Sequence, residues 1–256
     1  MIVYFVRHGE PDYETDSLTE EGKRQAELVS RRLVMSGVDG IYSSPLGRAR
    51  ETAIPTAEKT GLPVEILPWA YELSKESKTT MFSEKPTHLS WINGTYWMQP
   101  KFRNLTGKEF FELEAVQKSG FKERYRMITE GLDAWIKELG YERTEDGFYM
   151  PVRPNDKHVV LFCHAAMMRV LLAHFMNMPY QYVNFPFIGN FTGVTAFSFH
   201  EFKRVGTDEE GNLFSGVETE TAQPLVPRMI SYGDVGHMYL DKEGVPMRNY
   251  STGEVF

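Results

Sequence analysis

Apolar and polar positions along this chain follow two alternating periods. Ile2 to Val6 is a short, partly β-branched apolar run closed by Arg7-His8-Gly9, which predicts a buried strand ending in a polar loop. Ala26, Val29, Leu33 and Val34 then recur at helical spacing. Thr19 supplies a hydroxyl to cap that helix, and Glu20 and Glu21 place negative charge at its positive end. Gly37 and Gly40 bracket its end, and Ile41-Tyr42-Ser43 predicts a second strand. Pro45 suits the first turn of a helix that runs through Ala49, Thr52, Ala53 and Ala57, carries Pro55 inside it, and stops near Gly61. Val64 to Leu67 is a third strand. The rhythm returns with a strand at His158 to Phe162, a helix at Met167 to Met176 and a strand at Thr195 to Phe202. The turn-like stretch Gly206 to Gly211 leads as a hairpin into Leu213 to Val217. Strands alternating with helices over short connections predict an α/β fold with a mainly parallel sheet.

Between these blocks, residues 74–151 break the rhythm and read as an insert within one domain spanning 1–256. Its second half has helical spacing at Phe121, Tyr125, Ile128, Leu132, Trp135 and Leu139, the stripe of a helix packed on the core. Its first half, Thr79 to Phe102, holds Trp91, Tyr96 and Trp97 without periodicity and reads as a loop or an aromatic-rich cap.

Composition narrows the class. The chain has 256 residues with 25% charged and 13% aromatic side chains, which is the profile of a folded globular protein. Cys163 is its single cysteine, so neither an internal disulfide nor a cysteine-built zinc site is available. The apolar stretch from His158 to Pro179 is interrupted by His164, Arg169 and His174, which argues against a membrane span. The start of the sequence lacks the pattern of a signal peptide, so the expected location is cytoplasmic. The net charge of −7 argues against nucleic-acid binding. Residues 200–256 hold ten acidic and five basic side chains, so most of that excess lies away from the chemistry below.

Three short segments carry that chemistry: Arg7-His8-Gly9-Glu10 after the first strand, Ser44-Pro45-Leu46-Gly47-Arg48-Ala49 after the second, and Cys163-His164-Ala165 after a later one. Ligands usually bind at the rim where the carboxyl ends of parallel strands meet. Taken singly, Arg7 and His8 fit a solvated loop, Arg48 a helix surface, and His164 and Cys163 a buried core. Together, each at a strand end, they converge two histidines and two arginines on one crevice.

With Leu18-Thr19-Glu20-Glu21-Gly22 and Glu51-Thr52-Ala53 between them, these segments resemble the histidine phosphatase superfamily, which includes cofactor-dependent phosphoglycerate mutases and many phosphatases. The likeness spans about residues 1–73 and 157–240. It implies a three-layer sandwich with helices on both faces of the sheet. It also implies that His8 takes the phosphoryl group, that Arg7, Arg48 and His164 bind it, and that an acidic residue after the third strand protonates the leaving group. Glu72 fits that last position best, with Glu76 and Glu84 as alternatives. Neutral imidazole is a competent nucleophile, and guanidinium forks match the oxygens of a transferring phosphoryl group. No metal or other cofactor is then required. The remaining histidines show no ligand spacing.

The chain departs from the mutase pattern in two places. Glu14 stands where mutases commonly carry asparagine, and Cys163-His164-Ala165 replaces their Ser-His-Gly. Glu10, Glu14 and Ala165 are possible pocket residues, with Glu10 either touching the pocket or tying the loop. The departures favour a phosphatase over a phosphoglycerate-type mutase. A phosphate-binding module without catalysis is the third reading. The expected partner is a small-molecule phosphate ester, with no nucleic acid or membrane, and the chain is a monomer or homodimer.

Overall fold

The computed structural model describes residues 1–73, 98–184, 187, 189–200 and 224–240, together with the backbone of 78–79, 87–88, 205–207, 213–215, 248–249 and 254–255. Its centre is a six-stranded sheet. The strands are β1 (Ile2–Arg7), β2 (Gly40–Ser43), β3 (Val64–Ile66), β4 (His158–Cys163), β5 (Val194–Ser198) and β6 (Arg228–Asp234), in the spatial order β6-β5-β1-β4-β2-β3. β1, β4, β2 and β3 pair in parallel, and β5 joins β1 and β6 antiparallel. Because β1 and β4 are adjacent, Arg7 stands beside Cys163, and the polar segments after both strands meet at one rim.

Side-chain alternation explains the layers. Val3 and Phe5 of β1, with Val159 and Leu161 of β4, point into one core. Val6, Val160 and Phe162 point into the other. Against the latter pack α1 (Glu20–Met35) and α2 (Gly47–Thr60), and against the former α3 (Phe121–Glu138) and α4 (Ala165–Phe175). The result is the expected three-layer α/β sandwich. Thr19 caps α1 by accepting from the Gly22 amide (3.0 Å), and α2 contains Pro55 and ends at Gly61.

Within the segment 74–151, the residues from Phe121 onward belong to the sandwich itself. Phe121, Ile128, Leu132 and Trp135 are buried, and Trp135 meets Phe5, Tyr42 and Trp69 edge-on or tilted. A hairpin of Tyr141–Arg143 and Tyr149–Pro151 follows. Most of Thr79 to Phe102, including Trp91, Tyr96 and Trp97, lies outside the described residues, as do Glu76 and Glu84.

Some boundaries differ from the sequence reading. The expected strand Thr195 to Phe202 begins at Val194 and leaves the sheet after Ser198. The expected helix Met167 to Met176 starts two residues earlier, because the Glu72 carboxylate accepts from the amides of Ala166 (3.3 Å) and Met167 (3.0 Å) and completes the first turn. Val205–Thr207 and Leu213–Ser215 pair as the expected hairpin, whose connecting residues lie outside the described ones. Among the described residues no helix is long and apolar enough to cross a membrane.

Candidate active site

His8 sits directly after β1 and is buried. Its amide donates to the Cys163 carbonyl (3.0 Å), which ties the loop to the end of β4. Its Nδ1 lies 2.7 Å from the Gly9 carbonyl oxygen. A carbonyl can only accept, so Nδ1 carries the proton and Nε2 the lone pair. The Gly9 amide donates to Thr52 Oγ1 (3.0 Å), and Thr52 donates to the Arg48 carbonyl (2.7 Å), so one threonine couples the His8 loop to α2.

Arg7 is also buried. Its Nη1 donates to the Gly189 carbonyl (2.5 Å), and its guanidinium lies over the Phe191 ring, 4.1 Å from the centroid. Phe191 also packs 5.8 Å from the His8 ring. The Thr192 amide donates to the Arg7 carbonyl (3.0 Å), in a left-handed conformation at φ 52°. His237 Nε2 meets the Thr192 hydroxyl at 3.0 Å. This second turn braces the loop from the β5 side.

Arg48, in the first turn of α2, pairs through Nη1 with Asp16 Oδ1, while Asp16 Oδ2 accepts from the Gly47 amide (2.7 Å). Gly47 is required for that approach, since a Cβ there would fall 2.1 Å from the Asp16 carbonyl oxygen. The Tyr13 ring, 59% exposed, lies 5.5 Å from the Arg48 guanidinium at the rim.

His164 completes the group. Its ring centroid is 5.2 Å from that of His8, and its Nε2 bonds the Ser44 hydroxyl (2.7 Å). Three buried nitrogens here, Arg7 Nε, Arg48 Nε and His164 Nδ1, have no hydrogen-bond partner among the described residues.

The electrostatics follow from burial beside positive charge. Burial, and then the charges of Arg7 and Arg48, hold the His8 imidazole well below its ordinary range. His164 is held down by burial and then by His8, Arg48, Arg7 and Arg124. Both rings are therefore neutral near pH 7. Burial lowers Arg7 to about 10, which leaves it protonated. Cys163 is buried and its thiol is pushed far up by burial, so it is packing and not a nucleophile.

Glu72 follows β3 and is half-buried. Its carboxylate accepts from the Leu73 amide (2.8 Å) as well as from the first turn of α4. Its bonds to the first turn of α4, directly after His164, place it on the same rim. Glu10 takes the loop-tying part. Its Oε1 accepts from the Thr19 hydroxyl (3.2 Å), its amide donates to Gln25 Oε1 (2.8 Å), and its carbonyl accepts from the Thr19 amide (3.0 Å). Ala165 opens α4 behind His164. Glu14 lies exposed at the tip between Asp12 and Ser17, and its one described bond is its amide donating to Asp12. The structure thus brings Arg7, His8, Arg48 and His164 together with Glu72 near them, and leaves Glu14 outside. The sequence reading missed Asp16, Phe191, Thr192, Arg124 and His237. None of these carried a local signal, since even Asp16 is one of three acids in the stretch Asp12 to Asp16.

Comparison with known proteins gives the family. The model of the histidine phosphatase superfamily (branch 1) matches residues 3–206, and the chain belongs to that superfamily. Its membership makes it an enzyme of the phosphatase or mutase kind. A probable phosphatase of Schizosaccharomyces pombe is 26% identical over 186 residues, covering 69% of this chain and 74% of that protein. A probable phosphoglycerate mutase, GpmB, of Yersinia pestis is 42% identical over an alignment of 81 residues that covers 28% of this chain and 38% of that protein. Among solved structures, a phosphoserine phosphatase mutant from Entamoeba histolytica in complex with phosphoserine superposes with a TM-score of 0.55 at 18% identity, covering 93% of this chain and 98% of that one. The likeness at that identity is one of fold.

Proposed function

We propose that this chain is a phosphomonoester hydrolase that works through a phosphohistidine at His8, with Arg7, Arg48 and His164 binding the phosphoryl group and Glu72 as proton donor. The observation that carries the reading is the ring of buried cationic and imidazole groups around His8, three of whose nitrogens lack any other described hydrogen-bond partner. A phosphoryl group would satisfy them, and its charge would favour the protonated, donating form of His164.

In the first step, His8 Nε2 attacks phosphorus, the bond to the ester oxygen breaks, and the proton of Glu72 passes to that oxygen. Nδ1 keeps its bond to the Gly9 carbonyl throughout. In the second step, water attacks phosphorus, its proton passes to the Glu72 carboxylate, and the phosphorus–nitrogen bond breaks to restore neutral His8. The guanidinium groups of Arg7 and Arg48 supply fixed positive charge where the transferring group spreads its negative charge. Hydrolysis is favoured over a mutase because the probable phosphatase relative aligns over far more of the chain than GpmB does.

The test is an acid-quench experiment with a phosphate ester labelled on phosphorus. Label retained in alkali and lost in acid, and absent in His8→Asn, supports the reading. Label with the opposite stability, or turnover retained in His8→Asn, overturns it. A chain that binds vanadate yet turns over no ester in a panel of sugar phosphates, nucleotides, phosphoamino acids and aryl phosphates is the binding module instead.

A further inference from the structure

Glu72 rides on residues 67–73, which form neither strand nor helix, yet a proton donor has to be held to a few tenths of an ångström. The segment is pinned from both helices of its layer. On α3, Arg124 is 1% exposed and donates from Nη2 to the carbonyls of Trp69 (3.0 Å) and Tyr71 (2.5 Å). Its Cζ lies 3.3 Å from the centre of the Tyr71 ring. Further along the same helix, the Trp69 indole sits against Gly131, where a Cβ would fall 2.3 Å from a ring carbon. On α4, the amides of Ala166 and Met167 take the Glu72 carboxylate itself.

A guanidinium buried in this layer is costly, and apolar residues of similar volume would fill the space without that cost. What they could not do is bond two carbonyls, one and three residues ahead of Glu72, in a fixed plane. We infer that Arg124 is a positioning residue for the proton donor: its Nη2, held by the planar guanidinium against the Tyr71 ring, and the Gly131 seat set the segment that aims Glu72 at the leaving group. This rests on the role proposed above for Glu72. It gives α3 a part in positioning the site, although no motif that marks the phosphate pocket lies on that helix.

Arg124 never touches substrate here, so its removal should be felt only where the leaving group needs a proton. The experiment measures phosphoenzyme formation by rapid quench for 2,4-dinitrophenyl, 4-nitrophenyl, phenyl and an alkyl phosphate. It compares the full chain with E72Q, R124K, R124Q and G131A, each checked by thermal melting. R124K keeps the charge but loses the planar group that lies on the Tyr71 ring. G131A leaves Arg124 in place and unseats Trp69. For phenyl and alkyl phosphate, R124K and G131A are expected to slow the step by about tenfold or more, within the range of a general acid. For the dinitrophenyl ester the expected loss is under about threefold, because that leaving group departs without help. E72Q should steepen the series in the same way and further. A steepened series in E72Q with a wild-type slope, or an equal loss for all esters, in both R124K and G131A overturns the inference alone. A wild-type slope in E72Q overturns the role of Glu72 and the inference with it. Should R124Q fail to fold, R124K and G131A decide.

Discussion

The two sides of the crevice are built differently. The phosphate side, formed by the ends of β1, β2 and β4, is held mainly by bonds that join the motif segments to one another, with the turn at Gly189 to Thr192 bracing Arg7 from behind. Thr52 joins Gly9 to Arg48, Asp16 joins Gly47 to Arg48, and Ser44 joins His164. The proton-donor side is held by residues outside those motifs: Arg124 and Gly131 of α3 on Trp69 and Tyr71, and the first turn of α4 on Glu72. Charge has to be fixed on the first side whatever the substrate. On the proposed mechanism the second side faces the part of the ester that varies. A site assembled in this way can keep one reaction and alter its leaving group by changing α3 and the segment before it.

The largest expected effect breaks the first side outright. His8→Asn removes the proposed nucleophile while leaving a group of similar size, and turnover should fall by at least about ten-thousandfold, as nucleophile deletions do. Steady-state kinetics on an aryl phosphate, with a thermal melt to confirm folding, measures it. Retained turnover would move the nucleophile elsewhere. His8 should also titrate unlike an ordinary histidine. Burial and the charges of Arg7 and Arg48 hold it down, so its ring should remain neutral, protonated on Nδ1, as pH falls below 6. Imidazole nitrogen shifts read this directly, and an imidazolium at pH 6 would show that the pocket is wetter than drawn.

A smaller effect sharpens the comparison. Gly47→Ala puts a Cβ 2.1 Å from the Asp16 carbonyl, so one of the two backbones must move. Because Asp16 orients Arg48, kcat/KM should fall by about ten- to a hundredfold, with a stability loss of about 1–3 kcal/mol from the forced shift. The leaving-group slope should not change, since Glu72 is untouched. Gly131→Ala should do the reverse. If both variants alter the slope alike, the two sides are not independent.

What the sequence could reveal depended on how local each signal was. Strands β1, β2, β3 and β4 and helices α1 and α2 were legible because buried runs, caps and short connections are local signals, and Arg7, His8, Arg48 and His164 follow strand ends directly. The stripe of α3 was legible as a core helix from its spacing. Its Arg124 was not, because nothing in Phe121-Lys122-Glu123-Arg124 marks which cation turns inward to two carbonyls more than fifty residues away. Thr192 and His237 were hidden for the same reason, since their contact joins residues 45 apart in sequence. β6 carries no clear apolar alternation, with Ile230 57% exposed at the sheet edge, so periodicity could not announce it.

The smallest expected effect concerns stability on the phosphate side, at the brace behind Arg7. His237 is 2% exposed, and burial, with a further push from Arg32 against the pull of Asp234, lowers it to about 4. A base whose folded value is depressed stabilises the fold fully above its unfolded value near 6.5 and loses that contribution as pH falls toward about 4. His237→Gln keeps an N–H for the Thr192 hydroxyl but cannot take up the proton. At pH 7 the variant should therefore be no more than slightly weaker than the parent. Between pH 6.5 and 4.5 the parent should lose about 2 kcal/mol more than the variant. His8 and His164 are also held neutral by burial, but they titrate alike in both proteins and cancel in the difference. Urea unfolding at three pH values measures it. Parallel losses in the two proteins would mean that His237 accepts its proton without leaving Thr192, and that the turn bracing Arg7 survives in acid.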